Sequence, residues 1–229
     1  HNRWKEVNKF ENIHKVRFIR NLKKIKKKSI DIVIVSTNSR GRAKIIEELS
    51  NKFNICYWIL EKVLAQNENE LNLISTCLED SKGAWVNTNR RAMKWYQEIF
   101  QSLTTKSPLR ISVYGSDWGL ACNAIHFLDL AQWLTCEELL SINTNYLDHK
   151  WHKAKRKGYW ETFGTLEATF SNGSKLVLES SQGIKDYEIK IDTADCSWVI
   201  NESIGVAKNS NGELIKGRLT NQSEITSFL

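Results

Sequence analysis

Glu61 and Lys62 follow directly on an unbroken apolar run, residues 55–60, Ile-Cys-Tyr-Trp-Ile-Leu. A run of that length reads as a buried strand, and a charged pair at its carboxyl end is out of place in a core. In open α/β sheets, ligands sit just beyond the carboxyl ends of parallel strands. The pair is therefore placed to hold and polarise a ligand; the alternative is a solvated strand end. His126 stands within Ala124-Ile125-His126-Phe127-Leu128. A lone histidine on such a helix is either a proton-transfer group or a satisfied core residue. Cys122 lies four positions before it, half of a metal site at helical spacing. Cys136 is the one obvious third ligand nearby, so no metal is expected. Arg90 and Arg91 either line a cleft or pair with carboxylates at a sheet edge.

The elements that position these residues alternate. The segment 31–37, Asp-Ile-Val-Ile-Val-Ser-Thr, is rich in β-branched residues and reads as a buried strand ending in Ser36, Thr37 and Asn38. Ala43, Ile46 and Leu49 mark a helix, the 54–60 strand follows, and a second helix runs over about 67–79. Strand, helix, strand, helix with short loops predicts a parallel sheet, with the two strand ends side by side on one edge. A strand over 84–89, a helix carrying Met93, Tyr96, Ile99 and Phe100, a strand over 109–114 and an apolar helix over 120–134 come next. Beyond them, segments 139–146, 160–170, 175–179, 187–192 and 197–202 read as strands. Asn172-Gly173 is a strong hairpin signal, and Asn211-Gly212 a second. Alternation of Leu166, Ala168 and Phe170 with Thr165, Glu167 and Thr169 predicts an antiparallel sheet with one more polar face. A boundary near residue 82 divides the chain into domains 1–82 and 83–229.

The 229 residues are 41% apolar, enough for a core, and carry a net charge of +7. Much of the excess is local: Lys23, Lys24, Lys26, Lys27 and Lys28 fall within six positions. Ile19, Leu22 and Ile25 run through them at helical spacing, predicting an amphipathic helix with a lysine-rich solvent face. A nucleic-acid or membrane patch is the alternative. No aromatic side chains interleave with these lysines, so no nucleic acid partner is expected. The five cysteines, Cys56, Cys77, Cys122, Cys136 and Cys196, include no Cys-x-x-Cys pair. Reduced thiols in a cytoplasmic protein are the simplest reading. No apolar run approaches the roughly 20 residues of a membrane span, and no signal peptide opens the chain, so no membrane partner is expected.

Four stretches in order carry a family resemblance: Ile-Val-Ser-Thr-Asn (34–38), Leu-Glu-Lys-Val (60–63), Trp-Val-Asn-Thr-Asn-Arg-Arg (85–91) and Trp-Gly-Leu-Ala-Cys-Asn-Ala-Ile-His-Phe-Leu-Asp (118–129). Together they resemble the Gfo/Idh/MocA family of NAD(P)-dependent oxidoreductases, over nearly the whole chain. The resemblance implies an α/β fold: a partial Rossmann domain followed by an α+β domain with a large open, mainly antiparallel sheet. It implies hydride transfer between NAD or NADP and a sugar or nucleotide-sugar hydroxyl or keto group. The family's Glu-Lys-Pro motif falls on Glu61, Lys62 and Val63, so Lys62 would touch both nicotinamide ribose and substrate. Ser36, Thr37 and Asn38 would face the cofactor. The catalytic histidine falls on His126, while Asn89, Arg90, Arg91, Trp118 and Asn123 would meet the substrate. Trp118 is equally a core residue or a stacking platform for sugar.

The departures shape the expectation. Val63 replaces the motif proline, which is expected to loosen the turn. Many members carry aspartate where this chain has Cys122, leaving Asn123 or Asp129 to orient the imidazole. No Gly-x-Gly-x-x-Gly fingerprint occurs, and the chain starts at His1 without methionine. It is read as a truncated chain lacking the first βαβ unit of its Rossmann domain. A non-catalytic relative of the same fold is the second reading, and a basic nucleic-acid binder the third. The open sheet face, thought to bear Trp160, Phe163 and Val177, suggests a homo-oligomer.

Overall fold

The computed structural model describes residue 19 and residues 21–103, 107–183 and 187–218. Its first half is a parallel sheet of β1 (Ser29–Val35), β2 (Asn54–Leu60) and β3 (Gly83–Val86), in that order. Helices α1 (Arg42–Ser50) and α2 (Glu68–Leu78) complete it. Val35, Ala43, Ile46, Leu49, Ile55, Trp58, Leu60 and Ile74 form one buried cluster between sheet and helices. Burying a side chain of this size contributes about 1.5–3 kcal/mol, and this burial is what fixes the two helices on the sheet. Asn67 caps α2, its side chain accepting from the Glu70 N–H at 2.9 Å, with Glu68 and Glu70 favourably placed in the first turn. The last register pair of β1 and β2 is Val35 with Leu60, so the two strand ends lie side by side as the pattern predicts. This sheet extends to Val86, past the boundary placed at residue 82.

The lysine-rich helix is not formed. Leu22–Lys24 make a single 3₁₀ turn capped by the Asn21 side chain, and Ile25 is already extended. Leu22 and Ile25 pack on the parallel-sheet core and β1 begins at Ser29, so tertiary burial overrides the helical spacing. The strand expected near residues 15–19 lies, apart from Ile19, outside the described residues.

The second half places α3 (Lys94–Ser102) and α4 (Leu120–Thr135) against an eight-stranded sheet. Its strands are β4 (Arg110–Ser116), β5 (Leu139–Leu147), β8 (Gly164–Phe170), β9 (Lys175–Ser181), β10 (Glu188–Asp192), β11 (Ser197–Asn201), β12 (Val206–Asn209) and β13 (Leu214–Lys216). The order is β13-β12-β11-β10-β4-β9-β8-β5, antiparallel except for the β4–β9 pair. Ala168, Phe170, Leu176, Leu178, Ile189, Ile191, Trp198 and Ile200 alternate onto the helix-covered face and are buried. Both Asn-Gly pairs turn hairpins, β8–β9 and β12–β13, with Gly173 and Gly212 at positive φ.

The strand read as 160–170 is broken. Gly164 sits at φ 101°, and a Cβ there would fall 2.2 Å from the Tyr146 carbonyl oxygen. The residues before it leave the large sheet, and Trp160–Glu161 (β7) pairs instead with His152–Lys153 (β6). Trp160 is therefore on a separate hairpin and Phe163 packs edge-on to His152, so of the three residues assigned to the open face only Val177 is there.

Candidate functional site

Arg42, which the sequence reading passed over, organises the parallel-strand ends. It opens α1 on the same side as Ile46 and Leu49, and its side chain is fully buried. The guanidinium reaches back across the strand ends. It donates to the carbonyl oxygens of Thr37 and Glu61, to Val63 at 2.6 Å and to Leu64 at 3.2 Å. Burial lowers its pKa, against the opposing pull of Glu61 and Tyr159. The peptide between Lys62 and Val63 is cis. The turn expected to be loosened by Val63 is thus pinned through its carbonyls to one cation. A charged residue at a buried-stripe position was the available signal. Ser36, Thr37 and Asn38 stand exposed at the mouth of β1, next to this turn. Beside them, the buried Asn87 amide at the end of β3 donates to Glu61 Oε1 at 3.4 Å.

Lys62 crosses from this turn to the first turn of α4. Its Nζ donates to Asn123 Oδ1 at 2.7 Å, the Cys122 carbonyl at 3.0 Å and Cys122 Sγ at 3.4 Å. None of the three acceptors is a carboxylate, and among the described residues Lys62 has no ion pair. Asn123 is itself oriented by donating to the Trp118 carbonyl at 2.7 Å. Gly119 begins the helix at φ 80°; a Cβ there would meet Asn123 Nδ2 at 3.2 Å and Glu161 Oε2 at 3.3 Å. Glu161 Oε1 accepts from the Ala121 N–H, so a carboxylate from β7 caps α4. Sequence reading had no signal for Glu161, because its partner lies 40 residues away.

His126 is one turn further along α4 and only 6% exposed. Burial, then the charges of Arg90 and Lys62, push its pKa down to about 3, so the imidazole is neutral at ordinary pH. Its Nδ1 is buried without a hydrogen-bond partner among the described residues. Neither expected orienting group serves it: Asn123 bonds Lys62 and Trp118, and Asp129 takes Arg91 in a bidentate pair. Cys136 caps the far end of α4. Fourteen residues separate it from Cys122, about 21 Å at the helical rise, too far to complete a metal site with Cys122 and His126.

The remaining sequence candidates are held elsewhere. Arg90 forms two 2.9 Å bonds to Glu202, and its guanidinium carbon lies 4.1 Å from the Phe127 ring centre. Burial opposes this charge, but Glu202, Tyr187 and Tyr96 together outweigh it and raise the Arg90 pKa. Tyr96 also donates to Glu202, at 2.9 Å. Burial, with Glu202 adding, pushes the Tyr96 hydroxyl pKa up. Arg90 and Arg91 are therefore both carboxylate-bound, Arg90 to Glu202 just past β11 and Arg91 to Asp129 on α4 rather than at a sheet edge. Trp118 donates to the Glu179 carbonyl at 2.8 Å and sets its ring against Phe127 and Tyr187, a core arrangement. Asn89 is half-buried where the 3₁₀ turn Asn89–Ala92 begins. The structure brings Glu61, Lys62, Cys122, Asn123 and His126 to one place beside the Ser36–Asn38 turn.

No family model and no curated protein matches the sequence. Solved structures match the fold. UDP-N-acetylglucosamine 3-dehydrogenase GnnA from Acidithiobacillus ferrooxidans superposes with a TM-score of 0.72 at 13% identity, over 98% of this chain and 76% of that one. An oxidoreductase from Agrobacterium radiobacter, solved with NAD+, L-tartaric acid and magnesium, gives 0.59 at 16% identity, over 83% and 61%. A super-repressor mutant of Gal80p from Saccharomyces cerevisiae gives 0.64 at 13% identity, over 84% and 63%.

Proposed function

We propose that this chain, which has the fold of the Gfo/Idh/MocA oxidoreductases, belongs to an NAD(P)-dependent oxidoreductase acting on a sugar-like alcohol. The observation that carries the proposal is the setting of Lys62. A cation from the parallel-strand end reaches the second half and is held there by an amide oxygen, a backbone carbonyl and a sulfur, with no ion pair among the described residues. Such a charge is positioned without being neutralised, so it is available to an oxygen that becomes negative during reaction.

The residues present fit the nicotinamide end of a dinucleotide: Ser36, Thr37 and Asn38 are exposed beside Glu61 and Lys62 at the carboxyl edge of the parallel sheet. When bound, the nicotinamide supplies hydride acceptance or donation. Lys62 holds the substrate hydroxyl and stabilises its developing alkoxide. Asn123 keeps the Lys62 ammonium in register. His126, neutral at ordinary pH, accepts the hydroxyl proton as negative charge develops on the substrate oxygen beside Lys62. Copies of the chain associate through the open face of the large sheet, where Tyr114, Val177 and Val199 alternate with polar residues and β5 exposes Leu140, Ile142 and Tyr146 at the edge.

The test is a titration of NADH and NADPH followed by nicotinamide fluorescence, on this chain and on a chain extended upstream. Binding by either supports the reading, and Lys62→Ala then removes turnover. Binding by neither sinks it. A second reading, a non-catalytic relative, is favoured by Cys122 at the position of the expected aspartate. It predicts a complete chain that binds nicotinamide without turnover.

A further inference from the structure

The segment 149–161 carries chemistry that the site above does not use. Lys150, Lys153, Lys155, Arg156 and Lys157 fall within eight positions, with no acidic residue before Glu161. Two tryptophans bracket the last four of them, Trp151 at 65% exposure and Trp160 at 58%. Unlike the 23–28 lysines, these cations are interleaved with aromatic rings. The run forms the β6–β7 hairpin, closed by bonds from the Ala154 N–H to the Tyr159 carbonyl and from the Tyr159 N–H to the Arg156 carbonyl.

The register divides the hairpin into two faces. His152 pairs with Glu161, and both point inward. His152 lies against Phe163 and bonds Asp148 at 2.7 Å, while Glu161 caps α4 next to Asn123. Lys153 pairs with Trp160, and both are exposed on the outer face. At the tip, a Cβ built on Gly158 would lie 3.7 Å from Arg40 Nη1, so the loop after β1 brings Arg40 close to the hairpin. Arg40, Lys153, Lys155, Arg156 and Lys157 are exposed and form no ion pair among the described residues. The inner face is thus rooted on the helix turn that holds Lys62, while the outer face offers flat aromatic surface beside unneutralised cations.

We propose that this outer face binds the nucleoside diphosphate part of a nucleotide-linked sugar. The base stacks on Trp160 or Trp151, and the phosphate oxygens meet Lys153, the 155–157 tip and Arg40. The proposal rests on the oxidoreductase reading only in calling that ligand a substrate. A short double-faced hairpin suits one or two nucleotides; a nucleic-acid strand needs a longer continuous track.

The experiment is calorimetric titration of this chain with UDP and GDP, with uridine, inorganic pyrophosphate and a thymidine dodecamer as comparators. UDP or GDP is expected to bind more tightly than uridine or pyrophosphate. Trp160→Ala and the triple substitution Lys155→Ala, Arg156→Ala, Lys157→Ala each weaken binding about tenfold, with unfolding midpoints unchanged because these side chains are exposed. Absence of binding at millimolar nucleotide, binding indifferent to both variants, or tighter binding of the dodecamer with a steep salt dependence overturns the proposal. NADH titrated separately keeps the two readings apart. Hairpin-dependent UDP or GDP binding without NADH binding leaves this site standing and removes the dehydrogenase. NADH binding without either nucleotide does the reverse.

Discussion

Lys62 and Arg90 are both cations that reach far along the chain, and their settings are opposite. Arg90 is mostly covered, and its charge is offset by Glu202 in a bidentate pair, with Tyr96 donating to the same carboxylate. Lys62 is held just as specifically, but by an amide oxygen, a carbonyl and a thiol. A cancelled charge fastens the 89–92 turn to the end of β11; an uncancelled one keeps its field for something else. The difference separates a structural cation from a functional one without reference to distance from a cleft. His126 is held neutral first by its burial, with the Arg90 and Lys62 charges adding to it.

The comparison can be broken by experiment. The largest effect is expected from Glu202→Gln, which leaves Arg90 buried without its counter-charge. Stability should fall by about 3–5 kcal/mol in chemical denaturation. A loss under 1 kcal/mol would show that Arg90 is not structurally neutralised by this pair.

Acid stability tests the His126 side. Its folded pKa, about 3, lies below the unfolded value of about 6.5. Above pH 6.5 the residue is neutral in both states and its contribution is fully present. Between pH 6.5 and 3 the unfolded chain takes up the proton first, so stability falls with pH by about 1.4 kcal/mol per unit. By pH 5 that amounts to about 2 kcal/mol, and His126→Gln should remove this part of the slope.

Asn123→Asp sharpens the contrast by giving Lys62 the ion pair that Arg90 already has. The His126 pKa should rise, since one of the two cations depressing it is offset, and imidazole resonances followed by NMR would report the shift. An unchanged titration would mean that burial and Arg90, not Lys62, set the His126 pKa. The smallest effect is expected from Lys62→Met. Its loss should change stability by no more than about 1 kcal/mol, while nicotinamide-dependent turnover falls by at least about 10²-fold. A stability loss as large as that of Glu202→Gln would place Lys62 among the structural cations.

Much of the frame was legible in the chain. The apolar run before Glu61, the β-branched run before Ser36 and the Asn-Gly turns state their structure locally, because a buried strand or a two-residue turn depends on near neighbours. The 23–28 lysines misled for the same reason. Their spacing fitted a helix, but the adjoining strand and the sheet core claimed Leu22 and Ile25. Trp160 and Phe163 were assigned to the large sheet because nothing in their own alternation reveals that Gly164 must pass against the Tyr146 carbonyl.

By itself, then, the sequence determined the order of elements, the parallel strand end that carries Lys62, and the helix that carries His126. Only the tertiary structure decided which cations are free. Arg90 finds Glu202 across 112 positions, Lys62 finds Asn123 across 61, and Arg42 gathers carbonyls from two separate loops. Charge compensation acts through space over a few ångströms, and the sequence does not reveal which distant residues the fold brings within that range.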